Sequence, residues 1–272
     1  MNRRPGPTVR SRVVEVRSGT PLEHEDRLAT EEPLEIRLSW PGSAAQRLAV
    51  TMRTPGHDFE LAAGWLVHEQ ILRSEDVRAV RYCTDVDLED REEFNVVTVE
   101  SAAPPAYLPA TRTISSACGV CGSASISDAL RAAARSPGAE QVTADLLELP
   151  ARLLDGQPGH ARTGGLHAAG LFEADGRAVV IREDVGRHNA VDKVVGSRVL
   201  GSLPVPPVLV LSGRIGFELV QKAVVAGISA IVAVGAPTSL AVSLAEEAEV
   251  ALVGFAREDR YVIYAGRSRF GV

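Results

Sequence analysis

Cys118 and Cys121 stand in the run Ser115 to Gly122 (SSACGVCG), a Cys-x-x-Cys pair with Gly119 and Gly122 beside it. Such a pair holds a metal, exchanges a disulfide, or carries a group on a thiolate. A structural zinc needs four ligands. No second Cys-x-x-Cys exists and Cys83 stands alone, so histidines would have to complete the set. A thioredoxin-like pair follows a strand directly into a helix, and the polar, Ser-rich run before Cys118 is a poor strand. The third possibility is a carrier cysteine on a mobile loop, which receives a group and passes it on. Ser125 to Ala134 reads as a helix, with Ser125 and Asp128 as a capping box. Its N-terminus, just downstream of the pair, would favour thiolate, the reactive form. Cys83, in Arg81-Tyr82-Cys83-Thr84, reads as a small packed residue. A zinc deaminase would place His-x-Glu upstream of Pro-Cys-x-x-Cys. Here Ala117 replaces the proline, and His24-Glu25 and His68-Glu69 are adjacent pairs, so the catalytic half is missing.

A second set of candidates lies where apolar runs end. Pro207 to Leu211 (PVLVL), Ala230 to Val234 and Glu249 to Phe255 read as strands, with helices at Gly216 to Gly227 and Ser239 to Glu247 between them. This alternation implies right-handed crossovers and a parallel sheet. Ligands of open α/β sheets bind beyond the carboxyl ends of the strands. Those ends carry Ser212-Gly213-Arg214, then Gly235 to Ser239, then Phe255-Ala256-Arg257 with Asp259 and Arg260 close behind. An earlier strand, Arg177 to Arg182, ends in Glu183-Asp184-Val185-Gly186-Arg187-His188-Asn189. Arginine grips phosphate bidentately and helix N-termini attract anions, so four such ends suit a nucleotide or another phosphorylated ligand. No Walker loop and no Gly-x-Gly-x-x-Gly after a strand is present, which leaves ATP hydrolysis and dinucleotide redox chemistry without support. His188 and Asp192 share a helix face, with Lys193 next to it; by charge pattern alone they read as a solvated helix end.

The elements that must position these residues fall into two parts. Leu34 to Trp40 and Arg47 to Met52 alternate apolar and polar around Pro41-Gly42-Ser43, which predicts a hairpin. Thr54-Pro55-Gly56 predicts a helix start with Thr54 as cap, and Phe59, Ala62, Ala63 and Leu66 fall on one face. Val77 to Tyr82 and Phe94 to Val99 read as strands, and the acidic run Asp85 to Glu93 between them as a solvated loop. Ala102 to Thr113 reads as a linker. Beyond it come a helix around Thr143 to Leu154 and strands at Leu166 to Phe172 and Arg177 to Arg182.

Composition bounds the function classes. The 272 residues carry 29 Lys and Arg against 35 Asp and Glu, a net charge of −6, which argues against broad nucleic-acid binding. Three cysteines are too few for a secreted disulfide framework and point to a reducing compartment. Arg3-Arg4 is followed by no apolar stretch, so the start reads as a short disordered arm rather than an export signal. Ala223 to Ala245 is free of charge and long enough for a membrane helix. Gly227, Ser229, Gly235, Pro237, Thr238 and Ser239 interrupt it, so a strand flanked by two helices explains it better.

Five segments together carry a family resemblance: RTPGHDFELAAGWLVHEQIL (Arg53 to Leu72), SSACGVCG, RTGGLHAAGLF (Arg162 to Phe172), REDVGRHNAVDKVVG (Arg182 to Gly196) and LSGRIGFELVQKAV (Leu211 to Val224). From about Pro33 to the C-terminus the chain resembles the formate dehydrogenase accessory sulfurtransferase family, FdhD. The bulky Trp65-Leu66-Val67-His68 stretch departs from the family pattern. The resemblance implies a cytoplasmic, homodimeric sulfur carrier. It would accept persulfide sulfur from a cysteine desulfurase and pass it to the molybdenum cofactor (Mo-bis-MGD) before that cofactor enters formate dehydrogenase. Cys118 would carry the persulfide and Cys121 assist. Phe255 to Arg260 (FAREDR) would bind the cofactor, and a guanine nucleotide such as GDP would fit the same cleft. Asp184, Arg187, His188 and Ser212 to Arg214 become candidate cleft residues, with no structural metal, nucleic acid or membrane expected. The implied fold is α/β. Residues 1–32 form an N-terminal arm and first strands, 33–112 a smaller α+β domain, and 113–272 a cytidine-deaminase-like α/β/α domain. Two other classes stay open: a non-catalytic chaperone of the molybdenum cofactor, and a zinc-dependent deaminase-like hydrolase.

Overall fold

The computed structural model describes residues 6–83, 94–108, 112–114, 141–257 and 259–271. Cys118 and Cys121, the helix expected at Ser125 to Ala134 and the acidic run Asp85 to Glu93 lie outside these residues. From Thr8 the chain forms a hairpin, β1 (Thr8–Arg17) and β2 (Thr20–Ala29), paired over all ten residues. Ser18 and Gly19 both take positive φ, the tight turn whose twist matches that of the strands.

Leu34, Ile36 and Leu38 are fully buried while Glu35 and Arg37 point away, so β3 (Glu32–Trp40) turns one face to a core. The expected hairpin leads into antiparallel β4 (Ser43–Arg53). With β5 (Val77–Tyr82), β6 (Val96–Ser101) and β7 (Arg112–Ile114) they form a sheet in the order β5-β6-β3-β4-β7.

Helix α1 (Asp58–His68) starts later than expected. Gly56 and His57 take positive φ, which postpones the first turn, and Thr54 is no cap. Its backbone N–H donates to Asp184 Oδ2 (3.1 Å) and its hydroxyl accepts from Val185 N–H (3.1 Å). The single apolar face also needs correction, because Leu61 to His68 are all buried. Leu61, Ala62, Trp65 and Leu66 pack on the five-stranded sheet, whereas Ala63 and Val67 face the second core.

The second sheet has the order β13-β12-β11-β10-β8-β9. Its strands are β8 (His167–Phe172), β9 (Ala178–Asp184), β10 (Val208–Leu211), β11 (Ala230–Ala233), β12 (Ala251–Arg257) and β13 (Arg260–Ala265). The expected parallel run holds for β10, β11 and β12, but β8, beside β10, and β13, beside β12, are antiparallel, so the sheet is mixed. Helix α2 (Glu148–Asp155) is shorter than expected, since Asp145 Oδ1 accepts from Leu147 N–H in a turn ahead of it. An unexpected helix, α3 (Pro158–Thr163), opens on a proline, and Glu183 accepts from the N–H groups of Gly159 (2.8 Å) and His160 (2.6 Å).

Helices α4 (Arg187–Leu200), α5 (Phe217–Val225) and α6 (Ser239–Glu247) cover one face of this sheet, and α2 covers the other. Thr238 caps α6 by accepting from Ala241 N–H. The uncharged stretch Ala223 to Ala245 is therefore helix, strand and helix, and among the described residues no helix is long and apolar enough to cross a membrane.

Contact between α1 and α4 joins the two halves. A Cβ on Gly64 would collide with the Asp192 carbonyl, and one on Gly196 with the Glu60 carbonyl. The expectation of a solvated helix end is overturned here, since Asp192 and Lys193 are buried. Asp192 lies 2.5 Å from His68 Nδ1 and 2.6 Å from Lys222 Nζ, while Lys193 pairs with Asp184 at 2.7 Å. Charges placed between layers must be partnered in this way, because burial of a lone charge is prohibitive.

Candidate anion cleft at the carboxyl edge of the sheet

Strand β8 is antiparallel to both of its neighbours, β9 and β10, so β9, β10, β11 and β12 all point the same way. Their carboxyl ends share one edge, and β8 and β13 begin there. A line of cross-strand contacts runs along it. Asp184 is paired with His167. Next to His167, Ala168 N–H donates to Ser212 Oγ (2.8 Å) and Ser212 N–H to the Ala168 carbonyl (3.1 Å), which brings Gly213 beside the His167 ring. Gly235 N–H then reaches the Gly213 carbonyl (3.3 Å), and Phe255 N–H the Gly235 carbonyl (3.2 Å). At about 4.8 Å per strand, His167 and Phe255 stand roughly 15 Å apart. Glycine is required at 235, because a Cβ there would lie 2.7 Å from Arg214 N and Gly213 C. The middle of the edge is therefore bare backbone.

Cations flank it. Arg187 is half-buried at the start of α4, and Arg214, Arg257 and Arg260 are exposed. Arg187, Arg214 and Arg257 make no hydrogen bond or ion pair among the described residues, while Arg260 lies over the Phe255 ring at 5.4 Å. Phe255 itself has φ 53°, an uncommon conformation for a bulky residue, at a register shift between β12 and β13. Backbone strain of this kind clusters at ligand sites.

Other expected residues take different places. Asp184 is fully buried and accepts from Thr54 N–H, Gly186 N–H (2.8 Å) and Asn189 Nδ2 (3.0 Å) beside Lys193. It anchors the start of α4, and any effect on a ligand passes through Arg187 and His188. Ala256 is buried and Asp259 exposed. Glu258, like both cysteines of the pair, lies outside the described residues. Cys83 is half-buried, on the wall of a cavity of about 880 Å³ against the five-stranded sheet, with Arg37 Nη1 at 3.7 Å from its sulfur.

Two residues were missed. Glu218 Oε2 lies 3.7 Å from His188 Nε2, and this neighbour above all holds the Glu218 carboxyl below its ordinary range. His167 is half-buried near Arg187, His160 and His188; burial first, and then the Arg187 guanidinium, hold it below the ordinary histidine value. It sits in the RTGGLHAAGLF segment, but only the antiparallel course of β8 brings its first residue to this edge.

Residues 29–271 match the model of the FdhD/NarQ family. The sulfur carrier protein FdhD of Streptomyces coelicolor is 48% identical over 275 residues, covering 96% of this chain and 95% of its own. That of Nocardia farcinica is 48% identical over 270 residues, covering 96% of this chain and 94% of its own. A crystal structure from Desulfotalea psychrophila, described as a formate dehydrogenase accessory protein, matches with a TM-score of 0.74 at 24% identity, over 97% of this chain and 99% of that one. At that identity the likeness speaks for the fold. The family match and these relatives together establish that the chain belongs to the FdhD/NarQ family.

Proposed function

We propose that this protein is a sulfur carrier of the cytoplasm that serves a formate dehydrogenase. The observation that carries the reading is the Cys118-x-x-Cys121 pair in a chain 48% identical, over nearly its whole length, to relatives named sulfur carrier proteins. In this reading the Cys118 thiolate attacks the outer sulfur of a desulfurase persulfide. The donor's S–S bond breaks, the donor cysteine leaves as a thiolate, and Cys118 holds the new persulfide with no net redox change. The molybdenum cofactor is the acceptor, as substrate rather than resident group. Arg187, Arg214 and Arg257, which make no ion pair among the described residues, support binding of its nucleotide phosphates, and GDP would compete for the same place. The reading includes a homodimer. It also includes a cytidine-deaminase-like scaffold over 113–272, which the helices on both faces of the mixed sheet support.

The test is complementation of cells that lack the protein. Cys118→Ala should leave formate dehydrogenase inactive, while Cys83→Ala should restore it. A second reading, a cofactor chaperone without sulfur chemistry, is favoured by the collection of Arg187, Arg214 and Arg257 along one sheet edge of the described residues. Rescue by the Cys118→Ala, Cys121→Ala double variant would select it.

A further inference from the structure

His167 lies outside the set of cleft residues that the sequence singled out, yet it starts the strand that lies between β9 and β10, whose carboxyl ends lead to Arg187 and Arg214. We propose that His167 is a phosphate-binding residue, which takes up a proton when a phosphate or diphosphate group settles between it, His188 and Arg187. The inference rests on the reading of this edge as an anion cleft and names one subsite within it.

Three elements converge on the ring: β8 supplies His167, α3 supplies His160, and α4 supplies Arg187 and His188. The nearby carboxylates are already engaged. Asp184 is paired with Lys193, Glu183 accepts from the start of α3, and Glu218 faces His188. His160 Nδ1 is held against the Leu166 carbonyl at 2.9 Å. By contrast, the His167 ring makes no hydrogen bond among the described residues, and the buried His188 Nε2 meets Glu218 Oε2 only at 3.7 Å, beyond hydrogen-bond distance. Glycine at 213 keeps one side of the His167 ring uncrowded, since a Cβ there would stand 3.3 Å from Nδ1.

Without an anion, burial first and then the Arg187 guanidinium disfavour the charged imidazole. A bound phosphate reverses the local field. The charged ring then becomes the favoured form and donates a charge-assisted hydrogen bond, and linkage requires that protonation strengthen anion binding in return. Affinity therefore falls as pH rises through the histidine range.

The experiment is a ring-carbon NMR titration of the full chain labelled at its six histidines, with and without inorganic pyrophosphate. His167→Gln assigns the resonance. The expected result is a His167 midpoint that moves up by about one pH unit on binding. His167→Gln should bind pyrophosphate about tenfold more weakly at pH 6 and equally at pH 8.5. The ligand's own titration is common to both proteins and cancels in the comparison. If pyrophosphate binds but the His167 midpoint stays still, the subsite is wrong and the cleft stands. If neither pyrophosphate nor GDP binds, both fall.

Discussion

At the scale of single residues, His68 combines a buried ring, a carboxylate on Nδ1 and an Nε2 with no partner among the described residues. Burial first, and then Lys222, push it below the ordinary value of 6.5. The folded state therefore resists the proton that the unfolded chain accepts. Wherever the unfolded state binds more protons, stability rises with pH, so the folded protein loses stability as pH falls below about 6.5. The urea midpoint should drop between pH 7.5 and 5.5, and His68→Gln should flatten that slope. Lys222→Met removes the ammonium from Asp192 and should lower stability by about 3–5 kcal/mol, the usual result of orphaning a buried charge. Arg187 and Arg214 behave oppositely, since among the described residues neither makes an ion pair. Arg214→Ala, at an exposed site, should change stability by less than about 0.5 kcal/mol. It should nevertheless weaken GDP binding about tenfold by calorimetry, as the loss of one charge-assisted contact implies.

At the scale of elements, the α1–α4 contact is the joint on which both sheets depend. Gly196→Ala would push a methyl into the Glu60 carbonyl, so it should cost about 3 kcal/mol, the upper part of the overpacking range, and lower the melting temperature. A charge pair crosses near the same joint. Burial alone would raise Glu60, but Arg182, which donates at 2.6 and 2.8 Å, and His57 hold it at about 2. This carboxylate stabilises the fold above its unfolded value of 4.5, and the contribution is lost as pH falls from there toward 2. Glu60→Gln should soften acid unfolding in that window, as read by circular dichroism. Local pattern made much of this architecture legible: β3 by its alternation, β10 by its apolar run, and α6 from Ser239 to Glu247 as observed. It could not reveal which strands are neighbours. The burial of α1 on both sides, the ion pairs of Asp192 and Lys193, and the arrival of His167 at the ligand edge all come from strand order and layer packing. Periodicity within one segment carries no information on those.

At the scale of the whole molecule, the net charge of −6 gives no sign of the cleft. Several acidic residues elsewhere are matched to arginines, as in Glu60–Arg182, Asp58–Arg53 and Glu148–Arg152, while among the described residues Arg187, Arg214 and Arg257 collect on one edge without an ion pair. GDP affinity should therefore fall as ionic strength rises from 0.01 to 0.15 M, over which screening shortens from about 30 to 8 Å. In the proposed reading, however, the sulfur chemistry turns on one thiol. The direct measurement is peptide mass spectrometry of the full chain after incubation with a cysteine desulfurase and L-cysteine, with thiols trapped by alkylation. The account predicts a mass gain of one sulfur atom on the peptide that holds Cys118, at that residue. Added sulfur on Cys83 or Cys121 with Cys118 unchanged, or no added sulfur at all, would contradict it.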